Sequence, residues 1–233
     1  MLNDLKLTMA RSIWVRPVRV MLAGVVLAGA GVSAVAQSAT PVVTTTAKAE
    51  VAPDAFIRAL SNEVMSAVKQ DRAIQNGDTQ KVVSLVDAKI LPHVNFQRMT
   101  ASAVGRYWRQ ATPEQQKRLQ NEFKSLLVYT YSGAVSQIKD QVIDVKPPRS
   151  RPGDTEVLVR TLVRGKGDPI QLDYRLEKTA DGWKIYDVNV LGAWLVATYQ
   201  SSFAQEVTAS GIDGLITKLA ERNKQLASKK AAG

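Results

Sequence analysis

The sequence predicts an α+β fold, a four-stranded or slightly larger curved antiparallel sheet packed against a helical layer. Three observations carry this. Apolar residues recur at spacings of three and four from Pro53 to about Gly133, alternate with period two from Gln141 to Val190, then return to helical spacing. The connections between the alternating runs are short and made of turn residues, which antiparallel strands allow and parallel strands do not. The composition is that of a globular chain, with 45% hydrophobic and 22% charged residues, 14 Gly and 9 Pro in 233 residues. It excludes disorder, collagen and a polytopic membrane protein.

The first 36 residues read as a cleavable address. Lys6, Arg11, Arg16 and Arg19 form a basic start, no charge appears from Val20 to Val35, and Ala34-Val35-Ala36 offers an A-x-A cleavage signal. Cleavage near Ala36/Gln37 implies export to a bacterial periplasm. No Cys follows, so a lipid anchor is excluded. Residues 37–52 are rich in Thr, Ala and Ser and are expected to be a flexible leader. A single domain then covers 53–227: a helical part 53–138, a sheet 139–191 and C-terminal helices 192–227, before a disordered tail 228–233.

Within the helical part, Phe56, Leu60, Val64, Ala67 and Val68 define a first stripe. Asn76-Gly77-Asp78-Thr79 breaks the chain and caps a short second helix carrying Val82, Val83, Leu85 and Val86. Met99, Ala103, Tyr107 and Trp108 mark a third. Thr112-Pro113-Glu114-Gln115 is the strongest start signal, with Thr as cap, Pro at the first helical position and Gln at the third. The helix it opens carries Leu119, Phe123, Leu126, Leu127, Thr130 and Tyr131 on one stripe. Strands are expected at 141–146, 156–164, 170–178 and 183–190. Ile170, Leu172, Tyr174 and Leu176 alternate with Gln171, Asp173, Arg175 and Glu177, a strand buried on one face. Helical spacing resumes with Trp194, Leu195, Thr198, Tyr199 and Phe203, and again with Ile212, Leu215, Ile216, Leu219, Asn223 and Leu226.

The chain is poor in chemistry. There is no Cys and a single His, His93, so disulfides, thiolate sites and multi-histidine metal sites are excluded. No metal or cofactor is expected. Gly165-x-Gly167 opens no helix and is a hairpin loop. Asp173 and Glu177 share the polar face of their strand, where a solvated surface is expected over an acid/base pair. Arg106-Tyr107-Trp108-Arg109 could stack on nucleic acid, but export argues against that partner, and aromatic packing with two flanking arginines is the expectation. The formal charge is +10 for the whole chain and +7 once the first 36 residues, with four basic and one acidic side chain, are removed; it is a broad solvated field that weakly favours anionic membranes or partners. What remains is an apolar interior, and periodicity cannot tell a filled core from one hollowed for a ligand.

Several segments resemble one family. These are Val94-Asn95-Phe96-Gln97-Arg98-Met99, Gly105 through Gln115, Phe123 with Leu126-Leu127, Tyr174-Arg175-Leu176, Gly182 through Val188, and Leu191 through Phe203. Together they are similar to the MlaC family of periplasmic phospholipid carriers, also called the toluene-tolerance or ABC-transporter auxiliary family. The resemblance covers about residues 53–227. Asn95 stands where the family usually has Asp, Leu191-Gly192-Ala193-Trp194-Leu195 replaces a more usual E-G-x-S-L, and Gln200 stands where Arg is common.

The resemblance implies a non-enzymatic shuttle with bound phospholipid as cargo and acyl chains in an apolar pocket between sheet and helices. Its partners would be an outer-membrane lipoprotein–porin complex and an inner-membrane MCE-domain ABC transporter. Pocket residues expected on this basis are Met99, Tyr107, Trp108, Leu127, Tyr131, Tyr174, Val188, Leu195, Tyr199 and Phe203. The helix from Leu195 to Phe203, between Gly192 and Gly211, would be a moving wall. Two other readings remain open at this point: a small enzyme using Asp187 as a buried carboxylate, and a periplasmic chaperone or adaptor.

Overall fold

Capping chemistry sets most helix starts. In the computed structural model, which describes residues 51–151 and 153–231, helix α1 (Pro53–Gln70) begins with Pro at its start and Asp54 in the first turn. Asp71 accepts from the backbone N–H groups of Ala73 and Ile74 and opens the single turn α2 (Arg72–Gln75). Asp78 does the same for α3 (Thr79–Leu85) through Gln80 and Lys81. The chain then widens into a π turn, Val86–Ile90, and tightens into a 3-10 turn, Leu91–His93, where His93 meets Phe56 edge-on at 5.5 Å. Asn95 caps α4 (Phe96–Val104). Thr112 and Gln115 form a reciprocal capping box at the head of α5 (Pro113–Ser136).

The third helix is shorter than its apolar spacing suggests. Gly105 has φ 64°, which ends α4, and Gly105–Gln110 form a 3-10 turn. Tyr107 and Trp108 therefore leave the helical phase they would share with Met99.

The sheet has five strands in sequential antiparallel order: β1 (Val142–Val145), β2 (Glu156–Arg164), β3 (Ile170–Thr179), β4 (Gly182–Val190) and a two-residue β5 (Ala193–Trp194). The register steps from Arg175↔Asp187 to Leu176↔Ile185, so Tyr186 is the extra residue of a bulge. The bulge lets Ile185 before it and Val188 and Val190 after it face the same cavity. The fifth strand makes the sheet the slightly larger one the expectation allowed; at two residues it is too short to leave an alternation signal of its own.

Helix α6 (Leu195–Ala231) continues past residue 227 and breaks once, at Gly211 (φ 74°, ψ −179°). The expected helix boundary between Phe203 and Ile212 is thus a kink. The described residues fall within one unit, Ala47–Gly233. The export segment and most of the leader lie outside the described residues. Among the described residues, no helix is long and apolar enough to cross a membrane.

Burial organises into three clusters. Met99, Leu119, Phe123, Phe203 and Ile216 join α4, α5 and α6. Ile57, Leu60, Val159, Leu176 and Ile185 join α1 to the sheet. Val68, Ile74, Val82 and Val128 join the first three helices to α5. The space where the clusters meet is not filled.

Candidate functional site: an apolar cavity between sheet and helices

A cavity of about 420 Å³ opens there, within the 300–1,000 Å³ usual for ligand sites. Its walls draw on all three clusters. Helix α1 gives Ile57, Leu60 and Val64; α3 and the turns after it give Val82, Val86, Ile90 and Leu91; α4 gives Phe96 and Met99. Helix α5 supplies the longest wall, with Lys124, Leu127, Val128, Tyr131 and Val135, and Ile138 continues it just past the helix end. The helical part of that wall, Lys124 to Val135, spans about 17 Å at 1.5 Å per residue, against about 15 Å for one leaflet of bilayer hydrocarbon. The sheet closes the other side with Ile143, Val163, Leu172, Tyr174, Ile185, Val188 and Val190.

Lys124 is the single charged side chain among the lining residues, and its ammonium reaches Asp87 Oδ1 at 3.0 Å. Its aliphatic stem serves the wall while the charge sits on the ion pair. The polar lining is otherwise Ser61, Ser132, Gln141 and the two tyrosines. Burial pushes the hydroxyl of Tyr131 upward in pKa, and does so more strongly for Tyr174, whose bonds to Ser61 and Thr161 oppose the shift. Both remain neutral phenols.

Exposure grades along the cavity. At one end Ile57, Met99, Ile185 and Leu195 are buried; at the other Ile170 is exposed and Gln141, Ile143 and Val163 are partly so. The mouth therefore lies where β1 begins, β2 turns into β3 and β4 ends.

Six of the ten expected pocket residues line this cavity: Met99, Leu127, Tyr131, Tyr174, Val188 and Leu195. Four do not. Tyr107 and Trp108 pack against the α4–α5–α6 cluster, and the Tyr107 hydroxyl lies 2.8 Å from both Thr208 Oγ1 and Arg106. The break at Gly105 turns them away. Tyr199 and Phe203 stand edge-on to Phe123 at 5.1 and 5.3 Å and border a separate groove with Leu126 and Leu215. One α-helical face cannot serve both sides of α5, and their face is committed to the solid core. The proposed moving wall thus contributes Leu195 alone. Sequence reasoning missed Ile57, Val82, Ile90 and Leu91. The helical stripe of α1 was visible, but nothing in a stripe distinguishes cavity wall from packed core.

The face of the sheet away from the cavity is polar and only partly solvated: Glu156, Arg160 and Gln171 are exposed on it, while Asp173 is buried and Glu177 largely so, which corrects the expectation of a solvated surface at those two residues. Asp173 is buried, accepting from Thr161 N–H at 3.2 Å and from Gln171 at 2.6 Å. Glu177 accepts from Asn95 at 2.6 Å and from Arg98 at 2.5 Å, while Arg98 also reaches Glu156 at 2.6 Å and lies 3.7 Å over the ring of Tyr186. This cluster clamps the start of α4 onto the sheet.

Asp187 is buried and fully occupied. It accepts from Arg175 at 3.0 Å and from the backbone N–H groups of Val188 at 2.9 Å and Val196 at 3.1 Å, which fastens the head of α6 to β4. Arg175 lies 3.9 Å over Trp194. Burial pushes the Asp187 carboxyl upward in pKa, while the two backbone donors and Arg175 oppose it. It is absent from the cavity lining, so its geometry is that of a helix anchor. Among the described residues, no group of three or more His, Cys, Asp or Glu could hold a metal ion.

Comparisons with known proteins agree on one family. The chain is 44% identical to a solved phospholipid-binding protein from Ralstonia solanacearum in complex with a phospholipid. That match has a TM-score of 0.74 and covers 77% of this chain and 99% of that one. It is 23% identical over 187 residues to the intermembrane phospholipid transport system binding protein MlaC of Haemophilus influenzae, covering 78% of this chain and 87% of the relative. It is 24% identical over 162 residues to the toluene tolerance protein ttg2D of Pseudomonas putida, covering 69% and 75%. The MlaC protein family model matches residues 58–221, and the chain belongs to that family.

Proposed function

We propose that this protein is a periplasmic phospholipid carrier that moves lipid between outer-membrane and inner-membrane Mla complexes. The observation that carries the reading is the cavity itself: walled by aliphatic and aromatic side chains, buried at one end and open at the other. The phospholipid in the Ralstonia solanacearum relative supports the cargo, and the name of the Haemophilus influenzae relative supports the transport system.

Hydrophobic transfer explains the design. Each buried methylene contributes about 0.8 kcal/mol, so two ordinary acyl chains amount to roughly 20 kcal/mol against water. Release into water is impossibly slow, whereas exchange between hydrocarbon and an apolar cavity is nearly neutral. The carrier therefore needs a wall, a mouth and a dry contact with its partners, which are an MCE-domain ABC transporter and a lipoprotein–porin complex. It needs no catalytic group, and the carboxylate best placed to be one, Asp187, is occupied in holding α6.

The test is a pair of purifications. Wild-type protein carries phospholipid through purification and Leu127→Glu folds without it, because a carboxylate on the cavity wall is desolvated or admits water among the chains. Equal occupancy in both proteins would remove the cavity as the lipid site.

A further inference from the structure

The described residues hold four exposed large aliphatic side chains: Val51 at 56%, Val142 at 64%, Ile170 at 44% and Leu191 at 70% exposure. Three of them share one rim. Val142 begins β1 opposite Arg164, Ile170 begins β3 opposite Val163, and the backbone N–H of Leu191 donates to Gln171 O at 3.1 Å. This is the end of the sheet at which the cavity opens. Val51 lies at the other end, where its carbonyl accepts from Trp183 at the start of β4.

Leu191 is unusual in a second way. It is the one non-glycine residue with positive φ (53°) among the described residues, and Gly192 follows at 92°. The pair forms the two-residue turn between Val190 and Ala193, the pattern that favours Asn-Gly. A leucine there is strained, and its side chain is not recovered by burial. A strained, exposed aliphatic residue beside the mouth of an apolar cavity calls for a contact outside the folded chain.

Resting on the carrier reading, we infer that Leu191, with Val142 and Ile170, forms an apolar docking rim for the apolar opening of a lipid-transferring protein. A bilayer surface fits less well. The hydrocarbon of a bilayer lies under about 5–7 Å of headgroup, and three separate aliphatic side chains on a turn and two strand ends do not form the continuous amphipathic face that is buried to that depth. Nor does the rim carry a basic excess to draw headgroups aside. Lys139, Arg164 and Lys166 stand beside Asp140, Asp144 and Asp168, and Arg164 is 3.5 Å from Asp144. A neutral rim of aliphatic side chains suits a neutral apolar collar. The two mouths in register give lipid a path that never meets water.

The test loads fluorescent phospholipid into wild type, Leu191→Asn, Val142→Ser and the distant control Val51→Asn. Transfer is followed to phosphatidylethanolamine/phosphatidylglycerol vesicles, either bare or carrying the MCE-domain transporter of the same bacterium. Leu191→Asn is expected to raise Tm by about 2–4 °C through relief of strain and to keep its lipid. Its transfer to transporter vesicles should slow by about fivefold or more. Val142→Ser should slow the same transfer without the gain in Tm, Val51→Asn should not, and transfer to bare vesicles should be unchanged throughout. Wild-type transfer to the transporter by both rim variants would overturn the docking rim. Equal slowing on bare vesicles would assign the rim to the bilayer and overturn the choice of partner. A wild-type protein that holds no phospholipid would sink the carrier reading instead, a different failure.

Discussion

Asn95 shows how much can turn on one atom. Its side-chain oxygen caps α4 by accepting from Arg98 N–H at 3.0 Å, and its amide nitrogen donates to Glu177 at 2.6 Å. Aspartate could cap equally well but would set a second carboxylate against Glu177. Asn95→Asp should therefore lower stability by about 1–2 kcal/mol in urea unfolding at pH 7. Glu156 titrates with a defined sign. The hydrogen bond from Arg98 holds its carboxyl below the ordinary value of 4.5 against an opposing desolvation. The folded state therefore binds that proton more weakly than the unfolded state, and the stabilisation is present above 4.5 and lost as pH falls through the lower folded value. Glu156→Gln should lower the urea midpoint at pH 7 and have no effect below that value. None of these partners was legible in the sequence, because Asn95 and Glu177 are 82 residues apart and meet only through the tertiary fold.

At the scale of elements, the local signals were strong wherever local chemistry decides. The Thr112 capping box, the hairpin turns and the period-two strands all appear where the residues place them. The end of α4 and the kink in α6 depend on single glycines with positive φ, Gly105 and Gly211, and no periodicity announces those. Gly211, at φ 74° and ψ −179°, occupies a region that is almost exclusive to glycine. Gly211→Ala should cost about 1–3 kcal/mol, seen as a lower Tm with α5 unchanged in helicity. The elements also differ in how firmly they close the cavity. The head of α6 is pinned by Asp187 and by the aromatic contacts on Phe123. The π turn contains no buried residue and is tied by Lys89–Glu63 at 2.7 Å and Lys124–Asp87 at 3.0 Å, exposed pairs of small energetic worth. Removal of lipid should therefore speed hydrogen exchange in residues 82–93 more than in 195–203. The opposite order would return the moving wall to α6.

For the whole molecule, the sequence was enough to expect helices on a meander sheet with an apolar interior, and the resemblance placed a pocket between them. The cavity could not be read from pattern, because Leu127 lining a void and Leu119 packed in solid core have the same spacing and hydropathy. Only the failure of three clusters to fill their common centre separates them. The central claim is that this centre holds phospholipid, and native mass spectrometry of the protein, purified without detergent, tests it most directly. The account predicts a bound mass near one phospholipid per chain, identified by organic extraction and absent from both Leu127→Glu and Val188→Glu. A wild-type protein with no bound lipid, or variants with undiminished occupancy, would contradict it.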